Sequence, residues 1–141
     1  MHSTVQWLDK VAFEGTSESG HRIIMDGAPS YGGENRGARP MELILMGLGG
    51  CASFDIVTIL KKSRQDITDV QCKLSAERAD SVPAVFTKIH LSFIVTGKNI
   101  KEKQVAKAVE LSAEKYCSAS KMLTDGGVEI THDFKIIEVA E

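Results

Sequence analysis

Apolar positions set the order of elements along the chain. Val5 and Trp7 alternate with polar neighbours, as do Val11 and Phe13, and a third apolar group follows at Ile23, Ile24 and Met25. Such period-two runs predict short strands. From Asp26 to Arg39 the composition shifts to Gly, Ser, Pro and Asn around Gly32-Gly33. A loop of this length is usually functional or ordered by a partner. Pro40 suits a first helical position, and Lys61, Lys62 and Arg64 suit a last turn. The helix predicted between them is apolar on nearly all sides, so it should be buried on nearly all sides. A domain this small rarely encloses a whole helix, which points to cover from a second copy of the chain.

Two alternating runs follow. Val70, Cys72, Leu74 and Ala76 share one face of the first, and Ile89, Leu91, Phe93 and Val95 share one face of the second. A second helix is predicted from an Asn99 cap with Glu102 three residues on. Its apolar stripe runs through Val105, Ala108, Val109, Ser112, Tyr116, Ala119 and Leu123, and Gly126-Gly127 ends it. A last strand alternates Val128, Ile130, His132, Phe134 and Ile136 against Glu129, Thr131, Asp133 and Lys135. Strands, helix, two strands, helix, strand, with half-polar strands, give an α+β fold of antiparallel sheet with helices on one face.

Composition narrows the function classes. The 141 residues suit one domain, 1–141, and 43% hydrophobic content suffices for a core that must be aliphatic, since aromatics are 6%. A net charge of −2 gives no electrostatic footprint for nucleic acid or an anionic membrane. The first residues lack the pattern of a signal peptide, and three cysteines, an odd number, argue against a disulfide-stapled secreted domain. The expected location is the cytoplasm. From Leu43 to Leu60 only Asp55 is charged. Spanning a bilayer takes about 20 apolar residues and a mid-span carboxylate costs several kcal/mol, so the stretch reads as a core helix.

The chemistry lies in the cysteines. Cys51 follows Gly47-Leu48-Gly49-Gly50, and Cys117 closes Leu111–Tyr116. Both fall in predicted helices, too far apart in sequence for a CxxC redox pair or a zinc knuckle. They can meet in space as an attacking and a resolving thiol; burial as core thiols is the plain alternative. Cys72 falls on the apolar face of its strand and reads as a packed core thiol. His132 reads as a hydrogen-bonded core histidine, while His90 and His2 stand near no motif. No HExxH or cysteine–histidine cluster exists, so neither metal nor cofactor is expected. The glycines at 47, 49 and 50 predict close approach of another backbone to the helix.

Three segments carry a resemblance: Pro40-Met41-Glu42-Leu43, Gly49-Gly50-Cys51, and Cys117-Ser118-Ala119-Ser120-Lys121. With the element order, they make the chain similar to the OsmC/Ohr family, the osmotically inducible protein C and organic hydroperoxide resistance proteins. Phe93–Gly97 and Ser112–Cys117 resemble its YhfA-type branch. The resemblance implies an intertwined homodimer with antiparallel sheets around a buried central helix. It also implies a thiol peroxidase for organic hydroperoxides, acting in oxidative stress defence. In it the residue matching Cys51 attacks, the residue matching Cys117 resolves, and an external dithiol, commonly lipoyl, reduces the disulfide.

Where the family has a glutamate ten residues before the first cysteine, this chain has Met41; Glu42, nine before, is the nearest carboxylate. For the family's thiolate-stabilising arginine the candidates are Arg22, Arg36 and Arg39. Arg36 and Arg39 are preferred because their loop leads into the Cys51 helix. The family's Cys-Pro is Cys117-Ser118 here, and Asp55 puts a carboxylate one turn after Cys51, where it should raise a thiol pKa unless it is paired. The site set is therefore Cys51 and Cys117, with Arg36, Arg39 and Glu42 in support. The alternative is a non-catalytic dimer that holds a small apolar ligand at its interface, beside the buried helix and a mobile 26–39 loop.

Overall fold

A computed structural model describes residues 1–140 and resolves two compact units, Met1–Leu45 and the chain from Met46 onward. The first unit is an antiparallel meander of β1 (Ser3–Asp9), β2 (Ala12–Ser17) and β3 (Arg22–Met25), in the order β1-β2-β3. The expected cross-strand apolar pairs form: Trp7 lies opposite Phe13, and Phe13 opposite Met25. Val5, Trp7, Phe13 and Ile23 nevertheless remain exposed, because a three-stranded sheet without its own helix layer has nothing to cover that face.

The 26–39 loop is ordered from within, not mobile. It carries a short 3-10 turn at Pro29–Tyr31, and its end returns beside β3 through a parallel bridge between Met25 and Ala38. Asp26, 2% exposed, is its hub. One carboxylate oxygen accepts from the Gly27 amide at 2.7 Å, and the other from the amides of Glu34 and Arg36 and from Arg36 Nε, each at 3.1 Å. Burial pushes this carboxyl up, but the four donors outweigh it and hold it at about 2. Gly37 lies so close to β3 that a Cβ there would stand 2.1 Å from the Ile24 carbonyl oxygen.

Helix α1 runs Pro40–Lys62, as its proline start and lysine end predict. The expected all-round burial is not met within one chain. The buried positions are Leu48, Gly49, Ala52, Ile56 and Leu60, a single stripe at helical spacing, while Ile44, Met46 and Phe54 are exposed. The helix is long and apolar enough to cross a membrane, with a window of mean hydropathy 2.0. Its buried stripe instead contributes to the core of the second unit.

That unit holds β4 (Asp66–Arg78), β5 (Phe86–Lys98), α2 (Glu102–Leu111), α3 (Ser118–Asp125) and β6 (Glu129–Glu138). The α+β class stands, with one correction to an all-antiparallel expectation. β4 pairs antiparallel with β5, but β6 pairs parallel to β5, in the order β4-β5-β6. A connection that contains two helices returns the chain to the starting end of β5, so β6 must run the same way. The core joins the α1 stripe to Ile89, Leu91, Phe93 and Val95 of β5 and Val105, Ala108 and Val109 of α2. Asn99 does not cap α2: it takes a left-handed turn, φ +52°, and Lys101 is the cap residue.

The glycines of α1 divide. A Cβ at Gly49 would stand 2.8 Å from a methyl of Leu74, whereas Gly47 and Gly50 face nothing within 4 Å. The close neighbour at Gly49 is thus a strand side chain and not a backbone. Gly50→Ala should stabilise the isolated chain by about 0.5–1 kcal/mol through helix propensity. Gly49→Ala should cost a net of roughly 1 kcal/mol, because overpacking against Leu74 exceeds that gain. Urea unfolding of the two variants checks both signs.

Candidate functional site

The second helical region departs from regular α geometry where the chemistry is. α2 ends at Leu111, and Ser112–Tyr116 form a π-turn closed by Cys117 N donating to the Ser112 carbonyl at 2.9 Å. An i+5 bond adds one residue to the turn. A regular helix would carry the buried stripe from Ser112 to Tyr116; the π-turn carries it to Cys117 instead. Tyr116 is accordingly exposed and Cys117 only 3% exposed. The chain then breaks at Cys117 (φ −78°, ψ +103°), which becomes the N-cap of α3, its Sγ accepting from the Ser120 amide at 3.4 Å. Ser118 occupies the first helical position.

Cys51 sits on the flank of the α1 stripe, half-buried, with Asp55 on the same helical row. The two thiols are neighbours: both are free, and Cys51 lies near enough to Cys117 to act on its titration. Burial pushes the Cys117 thiol up to about 11. The hydrogen bond to Cys51 pushes the same way, the Ser120 amide pulls it down, and charge on Cys51 and Asp55 pushes it up again. An N-cap ordinarily favours a thiolate; here burial and two acidic neighbours outweigh one amide. The Cys117 thiol is therefore held toward its protonated form.

Ser112, 1% exposed, holds the two halves of the site together. Its hydroxyl donates toward the Ala52 carbonyl at 3.2 Å and toward Asp55 Oδ2 at 3.1 Å, one proton shared by two acceptors. Asp55 is thus met by a hydroxyl and, among the described residues, by no cation. The period-3.6 reading placed Ser112 in an apolar stripe and missed this role. A lone serine at a stripe position facing an aspartate was the available signal.

The supporting residues of the first unit have their own partners. Arg36 commits Nε to Asp26 at 3.1 Å and its two Nη atoms to Asp9 at 3.2 and 2.5 Å. Arg39 is held through Nη1 alone, by Asn35 Oδ1 at 2.7 Å and the Gly37 carbonyl at 3.2 Å. Glu42 accepts from the Arg39 amide at 2.8 Å, closing a capping box at the start of α1. On a regular helix it also projects about 180° from Cys51.

Cys72 is half-buried, and burial pushes its thiol up to about 11 against a hydrogen bond from Ser53. His132 is on the helix-facing side of β6 as expected, but it is exposed and makes no hydrogen bond among the described residues, because β6 is an edge strand. His90 is the bonded histidine, with Nδ1 2.6 Å from Thr131 Oγ1 and Nε2 3.0 Å from Asp133 Oδ2.

A family model for OsmC-like protein covers residues 32–133. The chain belongs to the OsmC-like family. It is 46% identical over 137 residues to Protein YhfA of Escherichia coli (strain K12), covering 97% of this chain and 98% of that protein. That similarity places it in the YhfA-type branch. A hypothetical protein from Aquifex aeolicus VF5 superposes with a TM-score of 0.80 at 29% identity, covering 97% of each chain. The organic hydroperoxide resistance protein OhrB of Bacillus subtilis shares the fold at a TM-score of 0.61 and 21% identity, covering 96% of this OsmC-like chain and 98% of its own.

The raised thiols make a pH prediction. A group with its folded pKa raised above the unfolded value contributes stability that is complete below the unfolded value and is lost as pH rises through the folded one. For Cys72 and Cys117 that window runs from about 9 to about 11. Melting temperature should fall across it, and the fall should be shallower in Cys72→Ala, as scanning calorimetry at stepped pH would show.

Proposed function

We propose that the protein is a thiol-dependent peroxidase for organic hydroperoxides, with Cys51 attacking and Cys117 resolving. Family membership supports a redox or peroxide-related role. The observation that carries the finer reading is the proximity of two free thiols, Cys51 and the buried Cys117. The Cys51 thiolate attacks a peroxide oxygen, the O–O bond breaks, and the alkoxide leaves as an alcohol after taking up a proton. Cys51 is left as sulfenic acid. Cys117 then displaces its hydroxyl as water and forms the disulfide. An external dithiol, lipoyl in the family's pattern, reduces that disulfide and is itself oxidised.

The family's arginine is assigned to Arg39 in preference to Arg36, because Arg36 is consumed by Asp9 and Asp26 while Arg39 is held through one nitrogen. We assign the working form to a cytoplasmic homodimer. Phe54 is 71% exposed, and Ile44 and Met46 on the same helix are exposed too. Covering each would contribute roughly 1.5–3 kcal/mol. A second reading, ligand binding without turnover, is favoured by a pocket of about 510 Å³ in the first unit, lined by Val5, Val11, Phe13, Met25 and Tyr31 and almost wholly apolar.

Consumption of cumene hydroperoxide with dihydrolipoamide tests the first reading. Turnover should be abolished in Cys51→Ser. In Cys117→Ser it should fall at least about tenfold, with Cys51 over-oxidised in the mass spectrum. Wild-type protein that binds an apolar probe but consumes no peroxide would move the assignment to the second reading. Phe54→Asp should shift the sedimentation of the protein toward monomer; unchanged sedimentation would remove Phe54 from the interface.

A further inference from the structure

Cys117 has to lose a proton before it can resolve, and the thiol pair contains no group to take it. Burial holds the Cys117 thiol up to about 11, so at neutral pH it carries its proton. The sulfur that must attack is the thiolate. Behind Cys117 lies a small, partly open cavity of about 20 Å³, lined by Cys117, Ser112, Ser120 and His132 among apolar neighbours such as Leu48 and Phe93. That volume suits one water molecule, and its polar edges supply the partners a water needs.

We infer that His132 is the general base for Cys117, reached through one water in the cavity that the two residues share. The inference rests on the Cys51–Cys117 pair proposed above, but its test uses no peroxide.

Three features support it. His132 is opposite the buried Leu91 in the β5–β6 register, on the side of β6 that faces the helices, so its ring borders the cavity. It is also exposed and hydrogen-bonded to no described residue, unlike His90, which Thr131 and Asp133 hold. A ring open to the cavity on one side and to solvent on the other can pass a proton outward. Cys117 and His132 are the titratable groups on the cavity wall. The other charges nearby are Asp133, the next residue of β6, held low by its bonds to His90 and Ser92, and Cys51 and Asp55 on α1. Asp55 is the competing base. Asp55 already accepts the Ser112 hydroxyl, whereas the His132 ring has no described hydrogen-bond partner, so the imidazole is the better placed base.

In the step, the Cys117 S–H proton passes through the water to the imidazole. The Cys117 sulfur attacks the Cys51 sulfenic sulfur, the S–O bond breaks, and the departing hydroxide takes a proton from the imidazolium or from solvent. One S–S bond and one water result.

The test replaces the sulfenic hydroxyl with a coloured leaving group. In a Cys72→Ser background, Cys51 is labelled with 5-thio-2-nitrobenzoate, and attack by Cys117 releases the coloured thiolate and one proton. Cys117→Ser should release none. The release rate should rise with pH and level off well below the Cys117 value of about 11. His132→Gln should slow release at pH 7 by about 100-fold, move its rise to alkaline pH, and recover with added imidazole, at an unchanged melting temperature. A His132→Gln rate and profile equal to the parent's would overturn the inference. So would a defect that imidazole does not restore, or the same loss in Asp55→Asn with His132 intact. The parent's own profile is a second test that needs no variant: a rate that keeps rising with pH up to the Cys117 value of about 11 also overturns the inference. Release that depends on His132 in a protein that consumes no peroxide would sustain this inference and remove the peroxidase reading instead.

Discussion

The buried serine at the head of the π-turn joins the helix that carries one thiol to the turn that carries the other. Through its hydroxyl, Ser112 grips α1 at Ala52 and Asp55, on either side of the turn that follows Cys51. Through its carbonyl it receives the amide of Cys117. One residue therefore ties the backbone that carries the second sulfur to the helix that carries the first. Removing a buried hydroxyl and leaving its acceptors unpaired costs about 1–3 kcal/mol. Here the larger loss would be positional, because no other described side-chain hydrogen bond links α1 to the π-turn.

The same serine explains how an aspartate can sit beside two thiols. A carboxylate one turn from a nucleophilic sulfur looks misplaced if its only effect is to oppose a thiolate. Its charge, however, falls on Cys117 as well, and adds to burial in keeping that thiol protonated. A protonated neighbour is a hydrogen-bond donor to the first sulfur. In the proposed cycle Asp55 therefore acts on the division of labour, helping to decide which sulfur keeps its proton and so which one attacks.

Much of this was legible in the sequence because it depended on period and punctuation. Pro40 and the lysines at 61 and 62 bounded α1, and the alternation through Ile89–Val95 gave β5 its inward face. The parallel pairing of β6 was not legible, since half-polar alternation is the same in both directions and only the crossover settles it. The place of Cys117 was obscured for a different reason. A 3.6-residue count carries the stripe from Ser112 to Tyr116, and one inserted residue moves it to Cys117; the sequence Ser-Ala-Glu-Lys-Tyr-Cys carries no proline or glycine to announce that insertion. The loop at 26–39 looked open because of its glycines, yet at Gly37 the glycine is there because the loop lies against β3 with no room for a Cβ. Glu42 and Arg36 were read as chemistry on family grounds, and the structure gives each a local partner at a helix start or a carboxylate hub.

In the proposed peroxidase cycle, the burial of the resolving thiol also sets the timing. Cys117 gains a donor's role while Cys51 waits for an oxidant, and the burial that secures that role slows its own ionisation later. Between those moments a sulfenic acid stands exposed to a second peroxide and to irreversible oxidation. A site built this way must either restrict access to Cys51 or speed the loss of the Cys117 proton once it is needed. The small cavity behind Cys117 meets the second demand without undoing the first, because a base reached through one water leaves the thiol desolvated and protonated until an electrophilic sulfur draws it forward.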